Sequence, residues 1–219
     1  MCYQSRESNG RVCAPSPGPF QSAVKATKFA NRRTEHLKRE TQPDLSALAI
    51  FRVVESTMTH SGARLADLSI ASPILLVFLR HAGCTFCRET LLDISESRSI
   101  LEQARTRIIL VHMGDSQALN LLLVKYGLGH LDLICDPDQE LYKAFGLKRG
   151  TFAQLFGLKV FARGVLGGAV LRHGLGAAVN DAAQMPGVFL IENNTLIRRF
   201  RHRSAADRPD YVALCNPNP

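Results

Sequence analysis

The stretch Ile74 to Thr90, ILLVFLRHAGCTFCRET, decides the fold, because it runs a buried strand into a helix and sets two cysteines at the handover. Ile74 to Leu79 is an unbroken apolar run bounded by Ser72-Pro73 and Ala82-Gly83, as expected of a strand covered on both faces. From Phe86 the pattern changes to helical spacing. Leu91, Ile94 and Leu101 share one face, with Arg88, Glu89, Asp93 and Glu96 on the other. Cys84 therefore stands at the helix start and Cys87 in its first turn. Unpaired backbone N–H groups and the positive end of the helix dipole favour the thiolate there. Cysteines so placed titrate at roughly 3.5–7.5 instead of about 8.5. Two intervening residues let the second sulfur fold back onto the first, which makes Cys84 the nucleophile and Cys87 the resolving thiol.

A structural zinc site usually needs a second Cys/Cys or Cys/His pair, and Cys2, Cys13, Cys135 and Cys215 are scattered singly. His81, Cys84 and Cys87 supply three ligands at most, which keeps a non-catalytic zinc-binding or scaffold module as an alternative. Haem attachment needs His after the second cysteine, where Arg88 stands. A pair embedded in a β-α-β pattern is the context that redox chemistry asks for. Cys135, at a strand end among apolar neighbours, reads as a packed core thiol.

At 219 residues and 46% hydrophobic, the chain has material for one core and an appendage. An isolated Cys-x-x-Cys fits a reducing compartment, so the cytoplasm is expected. The net charge of +8 is unevenly spread: residues 1–40 hold eight Lys/Arg and three Asp/Glu, a net +5, which leaves +3 for the rest. With no Trp and no aromatic surface beside the charge, no nucleic-acid partner is expected. Arg199, Arg201 and Arg203 would share one face of a strand, as on a solvated sheet edge.

Residues 1–42 are polar and irregular, with Pro15, Pro17 and Pro19 around Gly18, and read as a disordered basic extension. An organellar transit peptide, in a eukaryotic source, and a start codon placed too early are the other readings. Residues 43–219 form the folded domain. Leu45 to Met58 suits an amphipathic helix, and Arg64 to Leu68 a short edge segment. Arg107 to Met113 and Leu131 to Cys135 read as strands, Ser116 to Tyr126 and Glu140 to Phe145 as helices, with Asp136-Pro137-Asp138 as turn and cap. Residues 150–181 carry seven glycines among Phe, Leu, Val and Ala, and Lys159, Arg163 and Arg172 interrupt any run long enough to span a membrane. They read as an insertion holding a helix or two over the sheet or the site, with no membrane partner expected. Val188 to Ile191 and Leu196 to Phe200 then form a hairpin about Asn193-Asn194, and Pro209 starts a closing helix through Tyr211 and Leu214.

This order, β-α-β-α-β-α, an insertion, then β-β-α, with a proline just before a late strand, resembles the thioredoxin fold, an α/β domain with a central mixed sheet flanked by helices. FLRHAGCTFCRE, CDPDQELYKAFGLKRG, QMPGVFLI and RHRSAADRPDY further resemble the peroxiredoxin-like proteins of the AhpC/TSA type, including selenoprotein-L-like and prostaglandin-synthase-like members. The resemblance covers about Leu45 to Leu214. It implies a thiol–disulfide oxidoreductase or peroxiredoxin-like antioxidant protein acting through Cys84 and Cys87, with a peroxide or endoperoxide reductase as the alternative on the same fold. It implies a cis peptide bond at Met185-Pro186, and substrate contact at Thr85, Phe86, Met185 and Pro186. No bound cofactor and no metal are implied. The substrate would be a disulfide or peroxide, and the electrons would come from a cellular thiol reductant. A peroxiredoxin carries Thr or Ser three residues before its reactive cysteine, where this chain has His81 before Cys84. Thiol–disulfide exchange needs only the pair.

Overall fold

The computed structural model describes residues 45–114, 116–166, 168–174, 176 and 181–216. The chain divides into two units, Met1–Pro43 and Asp44–Pro219. The first, with the extension expected over residues 1–42, lies outside the described residues.

Within the second unit, β1 (Ile74–Phe78) is the centre of a five-stranded mixed sheet because all five of its side chains are apolar and buried. It pairs in parallel with β2 (Arg107–His112), which pairs in parallel with β3 (Asp132–Cys135). On its other side it runs antiparallel to β4 (Gly187–Glu192), which pairs with β5 (Thr195–Arg201), giving the order β3-β2-β1-β4-β5. This is the thioredoxin-like α/β arrangement. Alternation along β1 divides the core. Ile74, Leu76 and Phe78 face one cluster, covered by α1 (Leu45–Ser56), α2 (Leu65–Ala71) and α5 (Glu140–Ala144). Leu75, Val77 and Leu79 face the other, covered by α3 (Thr85–Gln103), α4 (Ser116–Lys125) and α9 (Tyr211–Cys215). On the first face Phe78 meets the rings of Tyr142, Phe145 and Phe189 at 4.9, 5.2 and 5.4 Å, which pins the end of β1 that leads into the cysteines.

Local chemistry explains the element ends. The Asp136 carboxylate accepts from the N–H groups of Glu140, Leu141 and Tyr142 at 2.9–3.2 Å and so caps α5. Asn193 and Asn194 take φ of 49° and 59° in the two-residue β4–β5 turn, a conformation their side chains tolerate. β5 is an edge strand with Arg199 and Arg201 exposed, as a solvated basic edge requires.

Three expectations are corrected. Arg64 to Leu68 is not an extended edge: α2 is a helix whose Leu65, Ala66 and Ser69 are buried together at helical spacing. Cys135 is exposed, not packed, because it is the last residue of an edge strand. No peptide bond is cis among the described residues, so Met185-Pro186 is trans. Beside that bond the Met185 N–H donates to Lys148 O at 3.1 Å, and Gln184 Nε2 donates to Met185 O at 3.2 Å. The backbone before β4 is thus paired within the domain.

The insertion over residues 150–181 holds more helix than expected: α6 (Phe152–Phe156), α7 (Leu158–Phe161), a π-helical turn Ala162–Leu166 and α8 (Ala169–His173). Thr151 and Gln154 form a capping box that starts α6.

Candidate functional site

The site forms where β1 runs out. Leu79 still bonds into the sheet, its N–H donating to Val111 O at 2.9 Å, while Tyr142 Oη donates to Leu79 O and lies 3.2 Å from Val111 O. The chain then turns through Ala82-Gly83 and enters α3 with Cys84 as its N-cap. Both Cys84 and Cys87 are free thiols and both are buried.

Arg80 organises the pocket. Its side chain is 7% exposed, and its guanidinium donates from Nη1 to Cys84 Sγ at 3.3 Å, from Nε to Gln184 O at 3.2 Å and from Nη2 to Ala182 O. Its backbone N–H donates to Cys87 Sγ at 3.3 Å. A buried cation with one anionic partner and two carbonyls is satisfied only while that partner is a thiolate. The Cys87 thiol, hydrogen-bonded to Cys84, lowers the Cys84 pKa most; burial opposes this, and Arg80 and the amides of Cys87 and Phe86 assist, for a value of about 6. Cys87 is pushed well up by the same shared hydrogen bond, by burial and by the Cys84 charge. The pair is therefore asymmetric, with one thiolate and one thiol at neutral pH.

His81 does not share Arg80's role. Burial first, then Arg80 and Arg88, lower its pKa to about 4, so it is uncharged at neutral pH, and its Nδ1 has no partner. Among the described residues no group of three or more His, Cys, Asp or Glu side chains is placed to hold a metal ion, so His81, Cys84 and Cys87 do not assemble as zinc ligands.

Of the residues expected at a substrate surface, the structure brings two to the thiols. Phe86 and Pro186 line a small crevice of about 10 Å³ with Arg80, Cys84, Cys87 and His202. Thr85 is buried, its Oγ1 donating to Gly174 O at 2.7 Å, and Met185 is buried against Leu155 and Ala205. Arg88 and Glu89, read as surface residues, hold the insertion: Arg88 Nη1 donates to His173 O at 2.9 Å, and the Glu89 carboxylate takes both its 2.7 Å bonds from Arg163 Nη2.

Sequence spacing offers no route to the far wall of the crevice, where His202 and Tyr211 arrive through β5 and the C-terminal segment. His202 is pushed down to about 4 chiefly by burial and its Nδ1 lacks a hydrogen-bond partner, while the buried Tyr211 hydroxyl lies beside Thr90. An orphaned imidazole nitrogen beside a water-sized space is fitted for a small polar guest.

A family model described as AhpC/TSA antioxidant enzyme matches residues 93–205, just over half of the chain and beginning after the cysteine pair. Human Peroxiredoxin-like 2C is 31% identical over 77 residues, 35% of this chain and 34% of that protein. The mouse protein of the same name is 30% identical over 112 residues, 50% of this chain and 47% of that one. The chain thus matches less than half the length of these relatives. Among solved structures, Peroxiredoxin 6 of Arenicola marina superposes with a TM-score of 0.52 at 10% identity, covering 73% of this chain and 66% of that one. Reduced Prx3 from Vibrio vulnificus gives 0.51 at 13% identity, covering 70% and 86%. At these identities the structures speak for the fold.

Proposed function

We propose, because the chain belongs to the AhpC/TSA antioxidant enzyme family, that it is a thiol–disulfide oxidoreductase with Cys84 as nucleophile and Cys87 as resolving thiol. The observation that carries this reading is the asymmetry of the pair: Arg80 and Cys87 hold Cys84 as thiolate, with a pKa of about 6, while Cys87 keeps its proton.

The Cys84 thiolate attacks one sulfur of a disulfide, and the departing thiolate takes a proton from solvent. In the resulting mixed disulfide Cys84 has lost its charge. Two of the causes that raise Cys87, the shared hydrogen bond and the Cys84 charge, vanish together, while Arg80 still lowers it. Cys87 then gives up its proton, attacks Cys84 Sγ and expels the second substrate thiolate. Two electrons have passed to the substrate, and a cellular dithiol restores the pair.

A second reading has its own support. Cys84 is 6% exposed and its crevice is water-sized, which favours a peroxide oxygen over a bulky disulfide. The thiolate would attack that oxygen and break the O–O bond, releasing alcohol or water. Cys87 would then condense with the sulfenic acid and release water. Alkyl peroxide reduction is named for a bacterioferritin comigratory protein of Xanthomonas campestris with a TM-score of 0.50 to this chain.

A redox titration of the full chain, Cys84→Ser and Cys87→Ser, with thiols trapped and located by mass spectrometry, tests the common core. One reversible two-electron couple confined to Cys84 and Cys87 is expected, with a stable mixed disulfide on Cys84 in the Cys87→Ser protein. No such couple overturns both readings. Rapid-quench oxidation by a small disulfide and by a hydroperoxide then separates them, since only the true oxidant should outpace its reaction with a free thiol.

A further inference from the structure

The outer face of the insertion differs from the rest of the surface. Fifteen large apolar side chains are exposed among the described residues, and seven of them fall between Phe152 and Leu171. Leu171, Leu158, Phe152 and Leu166 are 89, 83, 78 and 76% exposed. This face is not a core left unfinished, because the same segment already buries another. Leu155, Gly164, Ala169 and His173 are turned inward, and Val160 packs with Leu155 on Ala205 and Met185. The Arg163–Glu89 pair and the Thr85–Gly174 bond fasten that inner face to the head of α3. Clustered apolar exposure of this kind marks an interaction surface.

Charge narrows the occupant. From Leu141 to Asn180 there is no Asp or Glu, against six Lys/Arg. A second copy would bring one acid-free cationic segment against another, and the chain's own residues 1–40 carry a net +5. Both are disfavoured by like charge. Lys159, Arg163 and Arg149 are already paired with Asp207, Glu89 and Asp181, while Lys143, Lys148 and Arg172 stand exposed. The remaining positive charge is diffuse, which suits a fluid layer of anionic headgroups better than one acidic side chain. Phe and Leu on successive helical turns, beside Lys and Arg, is the pattern of helices that lie in a lipid interface.

We propose that the exposed face between Phe152 and Leu171 docks the protein on an anionic lipid surface. No helix among the described residues is long and apolar enough to cross a membrane, and this contact requires none. The expectation of no membrane partner was drawn from the absence of a span, which does not bear on a surface-lying segment.

Co-sedimentation of the full chain with vesicles tests the proposal, using phosphatidylcholine alone and phosphatidylcholine mixed with phosphatidylserine. Binding to the mixed vesicles is expected, weakening with salt. The double variant Leu158→Glu/Leu171→Glu should reduce it by roughly tenfold or more, because both side chains are exposed enough to be replaced without disturbing the fold. Leu121→Glu/Val124→Glu, at exposed apolar positions of α4, should leave it unchanged. Absence of binding, equal binding to pure phosphatidylcholine, or an equal loss in the α4 variant overturns the proposal. So does a dimer that Leu158→Glu/Leu171→Glu dissolves, which would assign the face to a second copy.

Discussion

Cys84 and Cys215 are both buried thiols packed into the same core cluster, yet one is pushed down to about 6 and the other up to about 11. Cys84 caps the start of the long helix α3, faces a second thiol and takes a hydrogen bond from a buried guanidinium. Cys215 is the last residue of the short helix α9, where burial dominates and Thr106 and Arg198 only partly oppose it. Burial is common to both and so decides nothing. What separates a reactive cysteine from a packed one here is the set of hydrogen-bond donors around the sulfur, the Cys87 thiol first, with Arg80 and the amides of Cys87 and Phe86 assisting.

Alkylation at pH 7 should expose the contrast most strongly. A midpoint near 6 against one near 11 gives Cys84 a thiolate fraction about ten thousandfold larger. The less basic thiolate is intrinsically slower, by roughly a hundredfold over that span, so Cys84 should react about a hundred times faster than Cys215. Peptide mapping after a timed pulse of iodoacetamide reads both sites in one sample. Cys215→Ser should leave the Cys84 rate alone, and comparable rates at the two cysteines would break the comparison.

A smaller effect isolates Arg80. Arg80→Met removes the cation from Cys84 and leaves the carbonyls of Gln184 and Ala182 without their donor, at about 1–3 kcal/mol each if they stay dry. Raising the thiol midpoint by about one pH unit would cut the thiolate present at pH 6 about fivefold. The more basic thiolate is intrinsically about threefold faster, so the alkylation rate at pH 6 should fall about twofold and the plateau at high pH should rise about threefold. Arg80→Lys keeps a charge but loses the planar fork, so it should rescue part of the rate and little of the urea midpoint. A role confined to packing would move the midpoint of unfolding and leave the pH–rate profile in place.

The junction of β1 and α3 is legible in the sequence because two signals coincide there: an apolar run of strand length and a switch to helical spacing immediately after it. The same holds for β2, for the Asn193-Asn194 hairpin and for the Asp136 cap, each of which is fixed by neighbours a few residues away. Arg64 to Leu68 is too short for periodicity to separate a helical turn from an edge. Cys135 needs the sheet order, since only its place on an edge strand shows that it is exposed. Arg80 and His81 are adjacent and look equivalent in the sequence, yet opposite surroundings make one a buried cation and the other a neutral imidazole. His202 and Tyr211 are more than a hundred residues from the cysteines, and only the fold brings them to the crevice.

The most gradual effect is on stability against pH, and it extends the comparison to Cys87 and to the two buried histidines of the site. The Cys84 midpoint falls on folding from 9.0 to about 6, so between those values the unfolded chain holds a proton that the native chain has lost. Stability therefore rises with pH across that window, and the contribution is lost as pH falls through about 6. His81 and His202, lowered from 6.5 to about 4, act with the same sign one window lower: unfolded imidazoles take protons there that the native ones refuse. Above 9 the sign reverses, because native Cys87 and Cys215 keep protons that the unfolded thiols release. Urea midpoints under reducing conditions should climb from pH 4 to a maximum near 9 and then fall. In Cys84→Ser the climb should end near 6.5, since only the histidines remain to drive it. A wild-type profile flat between pH 6 and 9 would mean that Cys84 holds its proton in the native state, and the distinction between the two buried thiols would disappear with it.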